Sequence, residues 1–273
     1  MGAFPCYDRG TPELVFATFL APCIRPAYQL VADRVGESLG QPAHLVVGES
    51  FEQLHSGEVD FAFICGLPYV RLRRQNSPPV NLVAAPVIEG SRYGGRPIYF
   101  SDVIVPAASP VRSFEELRGK AWACNGFDSH SGTLVVLHRL LQMGETGAFF
   151  GRVEVTGSHY ASIQQVADGL VDGSAIDSQI LAVQLRDRPE LGEQIRVITS
   201  LGPSTMTPLV AAPDVPESLR SEVCELVAGL GKREVDRNRL GAGLISGFAR
   251  LDDAAYDDIR GMLDAVESAR LRF

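Results

Sequence analysis

Short apolar runs alternate with amphipathic segments along almost the whole chain. The runs predict strands at 14–20, 44–47, 60–65, 121–124, 152–155, 195–198 and 208–212, with another near 102–105. Between them, apolar residues recur every three or four positions, the mark of helices with one buried face. Such segments are 26–39, where Tyr28, Val31, Val35 and Leu39 align, 50–56, a helix facing inward through Leu134, Leu137 and Leu141, and one carrying Ile163, Val166, Ala167 and Leu170. This alternation predicts an α/β protein of layered helices and mostly parallel sheets.

One pattern occurs twice, each time directly after a predicted helix: Gly57-Glu58-Val59-Asp60-Phe61-Ala62 and Gly169-Leu170-Val171-Asp172-Gly173-Ser174. In both copies the glycine suits a helix C-cap, the valine opens a buried strand and the aspartate sits at the turn between layers. The repetition predicts two similar lobes. Lobe one spans 1–98 plus 201–273 and lobe two 99–200, with hinge crossings near 99–103 and 200–208. Open α/β sheets bind ligands beyond the carboxyl ends of their strands, so function is expected in the cleft between the lobes.

Composition narrows the partners. The chain has 273 residues, 45% of them hydrophobic, and a net charge of −8, which fits a globular protein and argues against nucleic acid as a partner. Pro22, Arg25 and Pro26 cut short the longest early apolar stretch, so no membrane span is expected. Leu20-Ala21-Pro22-Cys23 resembles a lipoprotein processing site only superficially, because Pro22 stands where a small residue belongs. The five cysteines are widely spaced, mostly within apolar segments, and form no CxxC, so buried thiols are expected rather than disulfides or zinc ligands. His44, His55 and His138 read as surface or core residues, and no histidine pair has metal-ligand spacing. The glycines from Gly241 to Gly247 lack dinucleotide spacing, and no GxSxG, HExxH or GxxxxGK occurs. Neither a cofactor, a metal nor a known catalytic motif is therefore expected.

The segment richest in chemistry is Cys124-Asn125-Gly126-Phe127-Asp128-Ser129-His130-Ser131-Gly132-Thr133, between a predicted strand and a predicted helix. A helix opens with amides that have no partner inside it and carries roughly half a positive charge there. Ser129 and Ser131 add hydroxyl donors, and Gly132 permits close approach to the backbone. An oxyanion fits such a turn. Asp128 or Ser129 acting only as an N-cap is the plainer alternative. Tyr69, after Gly66-Leu67-Pro68, either lines the cleft from lobe one or packs in the core, and the run Arg71-Leu72-Arg73-Arg74 reads as a solvated helix face.

Several segments then fall in a telling order: Leu54 to Phe63, Tyr99 to Val105, Ser113 to Lys120, Ser129-His130-Ser131-Gly132, and Ser158-His159-Tyr160 through Val171-Asp172. In that order the chain resembles phosphonate/phosphite-binding components of ABC importers over roughly residues 14–250. The resemblance implies a two-lobed, periplasmic-binding-protein-like fold of the second topological type that closes on a small ligand. It also implies that Ser129, His130, Ser131 and Gly132 hold the oxyanion, with Tyr99, His159 and Asp177 completing the cage; a shift of two positions would place Gln179 at the last site. Two departures stand out. The return segment Ser204-Thr205-Met206-Thr207-Pro208 lacks the acid that holds an amino group in aminoalkylphosphonate binders, and a first-lobe tyrosine is missing near Val47 to Ser50. Both argue against an aminoalkylphosphonate and leave another oxyanion, or a carboxylate, open.

The expected function is a solute-binding protein for a small oxyanion, phosphonate, phosphite, phosphate or similar. Its partners are then a small anionic ligand and an ABC permease, and the protein is expected as a monomer or weak dimer. The location is periplasmic or otherwise extracytoplasmic if a leader preceded Met1, and cytoplasmic if Met1 opens the natural chain. The alternative is a cytoplasmic enzyme or ligand sensor on the same scaffold, which formation of product from a metabolite would reveal.

Overall fold

The structure is a computed structural model that describes residues 13–75 and 79–273; Cys6 lies outside them. Its strands are β1 (Leu14–Thr18), β2 (Ala43–Val47), β3 (Phe61–Phe63), β4 (Asn81–Ile88), β5 (Ile98–Pro106), β6 (Ala121–Cys124), β7 (Arg152–Val155), β8 (Gly173–Asp177), β9 (Ile195–Thr205), β10 (Leu209–Ala211) and β11 (Ile245–Ala249). Its helices are α1 (Arg25–Leu39), α2 (Gly66–Gln75), α3 (Val135–Gln142), α4 (His159–Ala167), α5 (Ser178–Asp187), α6 (Leu191–Gln194), α7 (Glu217–Ala228), α8 (Glu234–Leu240) and α9 (Asp257–Ser268).

The strands form two sheets, β11-β4-β10-β3-β1-β2 and β7-β6-β8-β5-β9, each flanked by helices. Parallel pairing joins β1 to β2 and β3, and β6 to β7 and β8. The remaining pairs, made by β5, β9, β10 and β11, are antiparallel. Each sheet is therefore mixed, with a parallel core extended by strands that run back against it. An apolar run carries no direction, so the expectation of mostly parallel sheets does not say which strands run back.

The repeated Gly-x-Val-Asp pattern performs the same task in both sheets. Gly57 and Gly169 adopt left-handed backbone, at φ 77° and 69°, and both valines are buried. Asp60 Oδ2 accepts from the Val15 amide at 2.8 Å, and Asp172 Oδ2 accepts from the Ala121 amide at 2.8 Å. The two aspartate amides donate back to the carbonyls of Val15 and Ala121. Each aspartate thus holds both backbone groups of a residue at the start of the neighbouring central strand, β1 or β6. Leu170, expected on the inward helix face, is instead 61% exposed, because the left-handed turn at Gly169 swings it outward and gives the inside to Val171. The expected helix over 50–56 is a single 3-10 turn, Phe51–Leu54, closed by a Ser50/Gln53 capping box.

Aromatic stacking marks the cores. Phe16 lies on Phe61 and Tyr28 on Phe63 beside the first sheet, with centroids 4.9 and 3.7 Å apart, and Trp122 lies on Phe150 beside the second at 4.5 Å. Burying each such ring contributes roughly 1.5–3 kcal/mol. Leu134, Leu137, Ile180 and Val183, which belong to the second sheet's helical layer, pack into the first sheet's core. Arg186 on α5 donates to the carbonyls of Gly241 and Ala242 at 2.8 and 2.9 Å, tying the same layer to the first lobe. The cleft lies beside this contact, where the strand ends of both sheets meet.

Candidate functional site

The turn after β6 sets the site. Ser129 has extended backbone (φ −79°, ψ 132°) and its Oγ accepts from the Gly132 amide at 3.0 Å, so it caps the helix that begins with a π-type turn, His130–Leu134. Thr133 Oγ1 donates to the Gly126 carbonyl at 2.8 Å, closing the loop from the other side. Gly132 leaves room for Asn125 here, because a Cβ would sit 1.9 Å from Asn125 Oδ1 and displace that side chain. The close approach that glycine permits is that of the Asn125 side chain.

The two following strand ends add one polar group each. After β7, Ser158 caps α4 and directs His159 so that its Nε2 lies 3.1 Å from Ser131 Oγ. Burial pushes the His159 imidazole down to about 4, so it is neutral near pH 7. After β8, Asp177 caps α5, its Oδ1 accepting from the amides of Gln179 and Ile180 at 2.8 and 3.3 Å. Burial pushes this carboxyl up to about 7 despite those two amides. Three successive strand-to-helix junctions of one sheet therefore bring Ser129, Ser131, His159 and Asp177 to a single place, the carboxyl edge where open sheets hold ligands.

These four residues line a cavity of about 740 Å³. Asn125 to Ser129, Gly157 to Tyr160, Gln179, Ile180 and Gln184 complete its second-lobe wall; Phe19 to Ile24, Phe51, Cys65, Pro68 and Thr207 form the wall opposite. Neither lysine nor arginine is among its described lining residues. Four of the described lining residues hold a buried polar atom with no protein partner: Asn125 Oδ1, His159 Nδ1, Gln184 Oε1 and Thr207 Oγ1. An unpaired buried polar atom costs about 1–3 kcal/mol, so their concentration at one cavity fits a place built to meet a polar ligand.

The other expected site residues do not line the cavity with free groups. Tyr99 is 1% exposed, its hydroxyl beside Ser131 and Cys65 and its ring 6.1 Å from that of His130. His130 is fully buried with both ring nitrogens unpartnered, and burial lowers it to about 3, so it is a neutral core residue. Gly132 has its amide committed to Ser129. Tyr69 packs on Tyr256 at 4.6 Å and donates to Asp253 at 2.5 Å, within the first lobe. Gln179 reaches the cavity but donates its Nε2 to the Gly243 carbonyl at 2.6 Å. Sequence reasoning missed Asn125, Thr207 and the aromatic residues Phe19, Phe51, Phe127 and Tyr160. Thr207 lies in the return segment noted for its missing acid, and Phe127 within the chemistry-rich turn, so both positions carried a signal. The arginine run is not merely a solvated face: Arg71 pairs across the cleft with Asp128, Arg73 lies 3.3 Å from Asp253, and Arg74 2.5 Å from Asp264.

Known proteins share this architecture. PhnD1 from Prochlorococcus marinus, solved with methylphosphonate, superposes with a TM-score of 0.81 at 17% identity, over 94% of this chain and 99% of that one. The binding protein component of an ABC phosphonate transporter from Pseudomonas aeruginosa gives 0.80 at 17% identity, over 93% and 86%. The periplasmic aliphatic sulphonate binding protein SsuA from Escherichia coli gives 0.64 at 16%, over 94% and 87%. At such identities these likenesses establish the fold, a two-lobed periplasmic-binding-protein-like architecture of the second type. The family described as "ABC transporter, phosphonate, periplasmic substrate-binding protein" matches residues 15–256, nearly the whole chain. The chain belongs to that family of substrate-binding proteins.

Proposed function

We propose that the protein captures a small oxyanion of the phosphonate class in its cleft, outside the cytoplasm, and presents it to an ABC permease. The observation that carries this reading is the convergence of Ser131, His159 and Asp177, from three strand-to-helix junctions, on one cavity. With its proton on Nε2, neutral His159 donates to Ser131 Oγ, and the serine proton is then free to point into the cavity. The helix amides and Thr207 Oγ1 add further donors, and Asp177 contributes a carboxylic O–H below about pH 7. Neutral donors in a water-poor cleft hold an anion strongly, because their dipoles are fixed before it arrives.

Among the described residues, lobe one is taken as 13–75, 79–98 and 201–273 and lobe two as 99–200, with the hinge in the segments near 99–103 and 200–208. Contacts from both walls to one ligand favour the closed arrangement, and a ligand shifts the balance by its differential affinity for the two states. No covalent step is involved. The test is a thermal-shift and calorimetric screen of phosphate, phosphite, phosphonates, sulfonates and carboxylates. At a hundredfold excess over Kd, a true ligand stabilises the protein by about 2.7 kcal/mol. If every oxyanion leaves melting unchanged while an uncharged metabolite raises it, this reading is wrong.

A further inference from the structure

The two walls of the cleft differ in chemistry, and the difference says what else the ligand carries. Among the described lining residues of the first lobe, side chains from Phe19 to Ile24, Phe51, Cys65 and Pro68 present carbon and thiol surface, and Thr207 alone brings a hydroxyl. Cys23 and Cys65 are half-buried free thiols, and a free thiol behaves as a small hydrophobe. The Phe19 and Phe51 rings lean together with centroids 4.5 Å apart. Gly48 makes room for the Phe19 ring, since a Cβ there would lie 2.2 Å from Phe19 Cζ. On the facing rim Phe127 is 59% exposed and Tyr160 53% exposed, although both are large rings that normally seek cover. A cavity of about 740 Å³ lies in the range, roughly 300–1,000 Å³, that holds a drug-sized molecule rather than a bare anion.

We infer that the ligand is an organic oxyanion bearing an apolar substituent well beyond a methyl group, an alkyl chain or aromatic ring seated between Phe19/Phe51 on one side and Phe127/Tyr160 on the other. This rests on the oxyanion reading above and adds the substrate's other half. The anionic head meets the donors of lobe two, and the substituent meets the apolar wall of lobe one, so the two ends of one molecule draw the walls together. A substituent carrying a hydroxyl or ammonium group would find almost no side-chain partner on the first-lobe wall. The carboxylate in the cavity, Asp177, already engages two backbone amides through Oδ1.

The test is a calorimetric series on the full chain with phosphate and with methyl-, propyl-, butyl-, benzyl- and 2-aminoethylphosphonate. Affinity is expected to rise about fourfold for each methylene buried, with benzyl tighter than methyl by well over tenfold and propyl tighter than its similarly sized aminoethyl counterpart. In Phe51→Ala, and separately in Gly48→Ala, the ratio of benzyl to methyl affinity is expected to fall about tenfold, with circular dichroism confirming the fold. Affinities that are flat along the series, or highest for phosphate, methylphosphonate or the aminoethyl compound, overturn the inference and leave oxyanion capture standing. Binding of none of these anions overturns both.

Discussion

The turns that follow β1 and β6 occupy equivalent places in the two lobes, yet they have opposite chemistry. Both central strands pair in parallel with a neighbour whose opening Gly-x-Val-Asp locks them by the same two hydrogen bonds. After β1 the chain reads Phe19-Leu20-Ala21-Pro22 and enters α1 with no side-chain cap. After β6 it reads Asn125-Gly126-Phe127-Asp128-Ser129 and enters its helix under a serine cap with a second serine facing the cavity. The scaffold repeats and the turn does not. One copy carries hydroxyls and the other an apolar wall, so the two turns set different chemistry on the same scaffold.

The sharpest way to break this comparison is to edit each turn. Ser131→Ala is expected to weaken oxyanion binding by about 1.5–3 kcal/mol, since it removes a donor to a charged group, whereas Cys23→Ala in the counterpart turn changes affinity for a small anion by less than about 0.5 kcal/mol. Calorimetry with phosphate and methylphosphonate measures both. Equal losses would erase the contrast between the turns.

Editing the shared scaffold tests the other half. Asp60→Ala and Asp172→Ala each leave a strand amide without its acceptor, and each is expected to cost about 1–3 kcal/mol in denaturant unfolding. Similar losses confirm equivalent locks, and a neutral result in one lobe refutes the equivalence.

A smaller effect is expected from pH. Asp177 has a folded value near 7, above the ordinary 3.8, so its charged form is disfavoured in the fold. Its contribution to stability therefore declines as pH rises from about 4 to 7 and is unfavourable above 7. Asp177→Asn, which keeps the cap, is expected to raise the melting temperature at pH 8 and to change it little at pH 4. Binding follows the same direction. A sulfonate, whose own charge is constant, is expected to bind several-fold more weakly at pH 8 than at pH 6, and the asparagine variant flattens that profile. An unchanged melting difference across pH would remove Asp177 from this role.

The least effect is expected from the cross-cleft pair of Arg71 and Asp128. Both side chains are substantially exposed, so Arg71→Ala costs no more than about 1 kcal/mol, read as a slight weakening of binding that fades with salt. A tenfold or greater loss would make Arg71 part of the ligand's cage.

Much of this arrangement is legible in the sequence because it is local. Caps, strand ends and the Gly-x-Val-Asp repeat depend on neighbours within a few positions, so Ser129, Ser131, His159 and Asp177 are found at the cavity where their junctions put them. Tyr99, His130 and Tyr69 were not separable in this way. Whether a ring on a strand or first turn faces the cleft or the core depends on what packs behind it, and Tyr256 against Tyr69 comes from nearly two hundred positions away. The Phe19 wall is hidden for the same reason, since it relies on Gly48 from the neighbouring strand's end. Strand direction also escapes periodicity, which explains the antiparallel extensions of both sheets.

The most direct measurement is a crystal structure of the protein grown with methylphosphonate. The phosphonyl oxygens are expected about 3 Å from Ser131 Oγ and the opening helix amides, with the methyl group turned toward Phe19 and Phe51. An anion bound outside the cleft, or within it but resting on the first-lobe wall with Ser131 untouched, would contradict the assignment of the β6 turn as the anion holder.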